Sequence, residues 1–263
     1  MIDIHHHLLW DLDDGSDSLA TSVEMVRMAC LDGITHIVCT PHANPYWAFR
    51  PDDNARKIAE LREAIHGRYD VTLGSGCDFH LSYDNIDDAR ANPAKYAING
   101  GGYLLVELPE FAFPLNLVDI FYQLQIAGIT PILTHPERNS TLQAHPKRMM
   151  EWLRGGVLVQ ITADSILGRF GKIAQKAAHQ LLSDDWVHFV ATDAHNISTR
   201  PPNMKQAREW VAKHCGEEMA VRLFETNPRA VFYGKPLGPQ PESKRIFEAF
   251  EDRRNWWQKM LRR

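Results

Sequence analysis

The residues with most chemical potential open the chain: Asp3-Ile4-His5-His6-His7. On a strand, alternate residues share a face, so His5 and His7 point one way and His6 the other. Two imidazoles on one face at a strand end suit a first-row divalent cation. Asp13-Asp14-Gly15 follows after a short loop and offers carboxylates near the same place. The pattern then recurs. Thr40-Pro41-His42 ends a second β-rich run, Gly76-Cys77-Asp78 a third and Glu107 a fourth. Thr134-His135-Pro136-Glu137-Arg138 ends a fifth, and Thr192-Asp193-Ala194-His195 the last. Asp193 and His195 repeat the spacing of His5 and His7. One such residue alone is usually structural. Nine at six strand ends are hard to obtain by packing alone: His5, His7, Asp14, His42, Asp78, Glu107, His135, Asp193 and His195.

Nine ligands exceed the roughly four that a zinc ion takes. They suit two or three ions bridged by carboxylates and waters. Mixed imidazole and carboxylate donors without thiolate favour Mn, Fe or Zn over Ca. Three divalent ions would outweigh the four carboxylates, and the centre would attract a phosphate dianion. Water activated by such ions is a nucleophile near neutral pH. Arg138 follows His135 by three residues and Arg200 follows His195 by five, so both can reach the same mouth. Guanidinium is suited to bidentate phosphate binding. The expected catalytic group is Arg138, Arg200, His42 and Asp193, and the expected reaction is metal-dependent phosphoester hydrolysis. Other routes lack their motifs. No cysteine begins C-x5-R, and neither G-x-x-x-x-G-K-[ST] nor G-x-S-x-G occurs. Gly74-Ser75-Gly76 lacks the third glycine of a dinucleotide fingerprint.

These residues need a scaffold that brings strand ends together. Apolar runs at 1–7, 34–40, 71–77, 103–108, 130–134, 157–162 and 188–192 read as strands. Helical patterns lie between them at 18–31, 52–65, 117–127, 146–154, 170–182 and 202–214. Gly33, Gly128 and Gly155 sit just past helix ends, where a left-handed residue is favoured. Strand and helix alternating about seven times predict a parallel α/β fold. An open doubly wound sheet is one solution. A closed or nearly closed barrel of seven strands fits better, because such barrels carry their sites at the strands' carboxyl ends.

The chain has 263 residues, 44% of them hydrophobic, enough for one sizeable core. We divide it into a catalytic domain over 1–236 and an extension over 237–263. The extension opens with Gly238, Pro239 and Pro241, then reads as an amphipathic helix with Ile246, Phe247, Phe250, Trp256, Trp257, Met260 and Leu261. Such a helix packs on the barrel or on another copy of the chain, or docks on a partner or an anionic membrane surface. A net charge of −4 gives no reason to expect nucleic-acid binding. The start lacks a basic region followed by a long apolar run, and no stretch approaches the roughly 18 apolar residues of a spanning helix. The expected compartment is the cytoplasm. The four cysteines form no C-x-x-C pair and read as free thiols.

Taken in order, these motifs resemble the polymerase-and-histidinol-phosphatase (PHP) family. The matching pieces are D-I-H-H-H, D-D-G, T-P-H, Glu107, H-P-E-R and D-A-H. Within it, the chain is similar to the protein-tyrosine phosphatases of bacterial capsule and exopolysaccharide operons. That likeness runs from Met1 to about Tyr233, and adds Arg200-Pro201-Pro202-Asn203-Met204 and Asn227-Pro228-Arg229. The resemblance implies a distorted seven-stranded (β/α) barrel with three metal ions, manganese or related. It implies that all nine residues are ligands and that Arg138 and Arg200 contact phosphate. The implied partner is a phosphotyrosine protein, the tail of a membrane-bound tyrosine autokinase. Histidinol phosphatase and phosphodiesterase activities occur on the same scaffold, and a metal-binding regulator is the non-enzymatic alternative. Asp78 departs from the pattern, standing where a glutamate is common, with His80 close by to compensate. Tyr46, Trp47, Phe49, Phe111 and Phe113 are expected to wall the mouth and stack a phosphotyrosine ring.

Overall fold

The computed structural model describes residues 1–81, 85–110, 113–114 and 116–247. Nine parallel strands form its centre: β1 (Ile2–His6), β2 (His36–Cys39), β3 (His42–Ala43), β4 (Thr72–Ser75), β5 (Asp78–His80), β6 (Tyr103–Glu107), β7 (Thr130–Thr134), β8 (Leu158–Thr162) and β9 (Phe189–Ala191). All seven expected runs are present. The second and third carry an extra short strand each, β3 and β5, beyond a break. Pro41 has no N–H to give a ladder and interrupts the second run. At Gly76 the backbone comes so close to β2 that an added Cβ would lie 3.1 Å from Val38 Cγ1.

The breaks divide the strands into two sheets, ordered β1-β2-β4 and β3-β5-β6-β7-β8-β9. The chain itself joins them where β2 continues into β3 and β4 into β5. The other junction is hydrogen-bonded: the His7 N–H donates to Ala194 O and the Asp193 N–H to His5 O, both at 2.9 Å. The result is a distorted (β/α) barrel of seven staves. Where β4 and β6 part company, Asn99 fills the gap. Its Oδ1 accepts from Ser75 N–H at 2.8 Å, and its Nδ2 donates to Phe232 O at 2.7 Å.

Burial sorts the side chains as alternation requires. Leu105, Ile132 and Phe189 point into the barrel with Ile2 and Ile4, while Leu104, Val106, Val159 and Val190 pack outward with the helices. The helix over Leu19–Leu31 starts at Ser18, whose side chain accepts from Thr21 N–H and satisfies a first-turn donor. Gly33 and Gly128 are left-handed past their helices, but after Met149–Arg154 that role falls to Gly156 (φ 84°), not Gly155.

One irregularity decides the site. Strand β1 shifts register against β2 between Asp3 and His6. Ile2 and Ile4 face inward, and strict alternation would send His6 after them. The shift lets His5 and His7 face inward instead, as a bulge re-aims side chains. Residues 237–247 lie back on the barrel in turns and irregular backbone. The Trp186 indole N–H donates to Lys244 O at 2.7 Å, and Ile246 packs against the core. Of the expected tail helix, Ile246 and Phe247 lie in a turn rather than a helix, and the remainder falls on residues 248–263, outside the described residues.

Candidate metal centre

All nine candidates meet at the carboxyl ends of the strands. Their donor atoms form four overlapping groups, each within 4.8 Å: His7, Asp14, His42 and His195; His5, Asp78 and His135; His5, His7 and Asp193; His42, Asp78 and Glu107. His5, His7, Asp78 and His42 each belong to two groups.

The hydrogen bonds say which atoms face the centre. His5 Nδ1 lies 2.8 Å from Gln160 Oε1 and His7 Nδ1 lies 2.6 Å from Asp13 Oδ2. Both acceptors are oxygens, so both Nδ1 atoms carry protons and both Nε2 atoms face the centre. Those two nitrogens are 3.3 Å apart, and Asp193 Oδ1 lies 3.4 Å from one and 3.3 Å from the other. Lone pairs and a carboxylate at such distances need positive charge between them. Farther out, His42 Nδ1 is 3.2 Å from Asp78 Oδ2 and 3.8 Å from Glu107 Oε2. His42 Nδ1 and Asp78 Oδ2 are buried and make no hydrogen bond among the described residues. A donor set of imidazole nitrogens and carboxylate oxygens with buried atoms left over fits divalent cations of the Mn, Fe or Zn type.

Protons are the alternative occupants, and the titration of the site reflects that. Burial opposes charge on His5, yet Asp78 and Asp193 outweigh it and lift its pKa to about 9. For His42, burial is likewise overcome, by Asp14 and Asp78, and the pKa rises to about 11. Burial wins at His135, aided by Arg138, and at His195, aided by His7; both fall to about 4. Burial works against ionising Asp193 as well, but His5 and Arg200 hold its carboxyl well below the usual range.

The backbone is bent to deliver these groups. His135 (φ 31°) and Asp193 (φ 53°), just past β7 and β9, are both left-handed, a conformation that costs a non-glycine residue on the order of 1–3 kcal/mol. Gly15 passes so near β1 that a Cβ would lie 2.4 Å from His7 O. This tight passage sets Asp13 against His7 and Asp14 beside His42 and His195.

Arg138 and Arg200 both donate to Asp193 Oδ2, the oxygen turned away from the histidines. Phe170 packs beneath them, its ring centre 4.3 Å from the Arg138 guanidinium carbon and 5.9 Å from that of Arg200. The expected aromatic wall divides. Trp47 stacks on His42 at 5.5 Å between ring centres and 16° between planes, and Tyr46 beside it is 88% exposed. Phe49 packs instead on Tyr96, and Phe113 on Trp152 beneath Arg148. Both rest against the apolar core, because loop rings near unfilled apolar surface gain more by burial than by facing water. Phe111 lies outside the described residues.

Gln160 and Phe170 were not expected at the site, and Asp13 was expected only as a carboxylate near it, not as the partner of His7. Gln160 left a signal, a lone polar residue inside the apolar run Val157–Thr162. Asp13 was visible in D-D-G, but nothing in the spacing separates the residue that orients a ligand from the one that faces the centre. Phe170 left none.

A β/α barrel with such a cluster at its strand ends is the architecture of a metal-dependent hydrolase. Distant solved structures share the fold alone, among them a lactonase of Listeria monocytogenes (TM-score 0.59, 11% identity) and a phosphotriesterase of Mycobacterium tuberculosis (TM-score 0.55, 10% identity). The former covers 89% of this chain and 95% of its own, the latter 90% and 95%. Nearer relatives are more specific. CapC of Staphylococcus aureus is 35% identical over 78% of this chain and 81% of its own. The tyrosine-protein phosphatase YwqE of Bacillus subtilis is 32% identical over 95% of this chain and all of its own. A crystal structure from work on YwqE and Streptococcus pneumoniae CpsB, described as metal-dependent tyrosine phosphatases, matches with TM-score 0.84 and 30% identity. It covers 93% of this chain and 100% of that one. The sequence profile for "Capsular polysaccharide synthesis, CpsB/CapC" matches residues 1–233. The chain belongs to the CpsB/CapC family.

Proposed function

We propose that this protein is a metal-dependent phosphatase that hydrolyses phosphotyrosine on a protein partner. The observation that carries the reading is the convergence of five imidazoles and four carboxylates beside two guanidiniums that share one carboxylate oxygen. When bound, divalent ions, three per chain with manganese foremost, supply Lewis acidity toward the phosphoryl group and make water nucleophilic near neutral pH. The nine residues are their ligands. Asp13 and Gln160 fix the histidine tautomers so that Nε2 is offered inward.

Arg138 and Arg200 wait on Asp193 and turn to the nonbridging oxygens of the arriving phosphate, where charge-assisted bonds are strongest. Trp47, held flat on His42, and exposed Tyr46 offer faces to the tyrosine ring. The phosphotyrosine comes from the tail of a tyrosine autokinase at the membrane, met from the cytoplasm. Among the described residues no helix is long and apolar enough to cross a membrane. Residues 1–236 are the catalytic unit, and 237–263 are an appendage.

The test compares a phosphotyrosine peptide, histidinol phosphate and a nucleotide diester, each with manganese and after chelation. The peptide should have the highest kcat/KM, lost on chelation and regained with manganese. A preference for either other substrate overturns the proposed specificity, and activity indifferent to chelation overturns the mechanism.

A further inference from the structure

His80 stands two residues after Asp78 on β5, the spacing of His5 and His7 and of Asp193 and His195. His80 belongs to none of the four ligand groups. It lies directly opposite Glu107 in the β5–β6 register, and its Nδ1 is 3.1 Å from Glu107 Oε2. The surroundings fix this pair. The Asn85 side-chain amide donates to His80 O at 2.7 Å, and the Leu81 N–H donates to Glu107 O at 2.8 Å.

Glu107 needs such a hold. Its side chain is 24% exposed, against 0% for Asp78 and 2% for Asp193. Its oxygens approach His42 and His135 only to 3.8 Å. Among the described residues His80 makes the one side-chain hydrogen bond to it. Asp78 is shared between two ligand groups, whereas Glu107 serves only the outer one with His42. How firmly that corner grips a cation therefore depends on how narrowly Glu107 is held.

We propose that His80 is a positioning residue: by donating from Nδ1 it fixes the Glu107 carboxylate, so that the His42–Asp78–Glu107 corner binds its cation tightly, without being a ligand itself. The proposal rests on the metal-centre reading above. A partner that orients a ligating group typically contributes 10- to 100-fold in metal affinity.

The experiment titrates chelated protein with manganese by calorimetry, with metal content after dialysis and the chelated protein's melting temperature recorded alongside. In His80→Ala, one ion should bind about 10- to 100-fold more weakly. The remaining ions and the chelated melting temperature should be unchanged. His80→Asn, which keeps a donor near Nδ1, should retain most of the affinity. In a Glu107→Ala background, His80→Ala should weaken binding no further. Unchanged binding of every ion in His80→Ala overturns the proposal, as does a loss that persists without Glu107. A wild-type protein that binds no divalent ion overturns the centre and the proposal together. His80-dependent binding without phosphotyrosine hydrolysis supports the proposal and overturns only the substrate.

Discussion

The inner group of the centre, His5, His7 and Asp193, and the outer one, His42, Asp78 and Glu107, use the same donor chemistry in different surroundings. The inner side chains are nearly inaccessible and sit on the hydrogen-bonded junction of β1 and β9. Each has a dedicated partner: Gln160, Asp13 and the two arginines. The outer residues lie on two strands of two and three residues and at the end of β6, and His42 and Glu107 are partly open to water. Preorganisation is thus concentrated at the closing seam of the barrel. It thins toward the break where the two sheets part.

If that contrast governs function, His7→Ala should be far more damaging than Glu107→Ala, since His7 is buried and serves two groups whereas Glu107 serves one. We expect kcat/KM to fall about 10³-fold or more, because metal catalysis contributes several kcal/mol, and excess manganese should not restore it. Glu107→Ala should lose less and recover substantially in a manganese titration. Equal rescue of the two would erase the distinction, and an active, metal-free His7→Ala protein would contradict the centre altogether.

Next comes Arg138→Ala, expected to lower kcat/KM on the order of 10²-fold, as removal of one preorganised donor does. Its metal content should stay at the wild-type level, checked by elemental analysis beside the kinetics. Coincident loss of metal would show that the arginine supports the inner ligands rather than phosphate.

The proton inventory gives a third test. His5 and His42, raised to about 9 and about 11, are protonated at neutral pH when no cation is bound, and must be neutral to ligate. Manganese binding should therefore release protons, and apparent affinity should rise with pH by about tenfold per unit for each proton released. Calorimetry in two buffers of different ionisation heat measures this. The sign for stability follows. In chelated protein the contribution of His5 is complete below the unfolded value near 6.5 and is lost as pH rises through about 9. His135 and His195, depressed to about 4, contribute above that unfolded value and lose it as pH falls through about 4. Thermal melts should then peak between these limits.

The smallest effect belongs to Trp47→Ala. It should raise KM for a phosphotyrosine peptide about three- to tenfold, the scale of one aromatic contact, and leave inhibition by inorganic phosphate unchanged.

Much of the scaffold was readable before folding. Parallel strands announce themselves as apolar runs, and a capping residue such as Ser18 marks a helix start locally. The nine candidates were found because polar residues at the ends of apolar runs contradict burial unless they meet. What escaped depends on tertiary geometry. The register shift in β1 has no composition of its own, and alternation alone would have ranked His6 with Ile2 and Ile4. Strands β3 and β5 are too short to carry a period. Phe49 and Phe113 look like site aromatics in sequence, yet the core claims them. Gly155 and Gly156 are adjacent, and only the chain's exit direction separates them.

The shared grip of Arg138 and Arg200 on one oxygen of Asp193 bears on turnover. A cationic pair left bare beside the centre would cling to phosphate after the ester bond had broken. If the two arginines bind phosphate as proposed, Asp193 is an internal rival already in place, and it would reclaim both guanidiniums as the inorganic anion departs. Capture of the substrate would then be an exchange of partners rather than a simple gain, so that a clamp strong in contact would still let its product go.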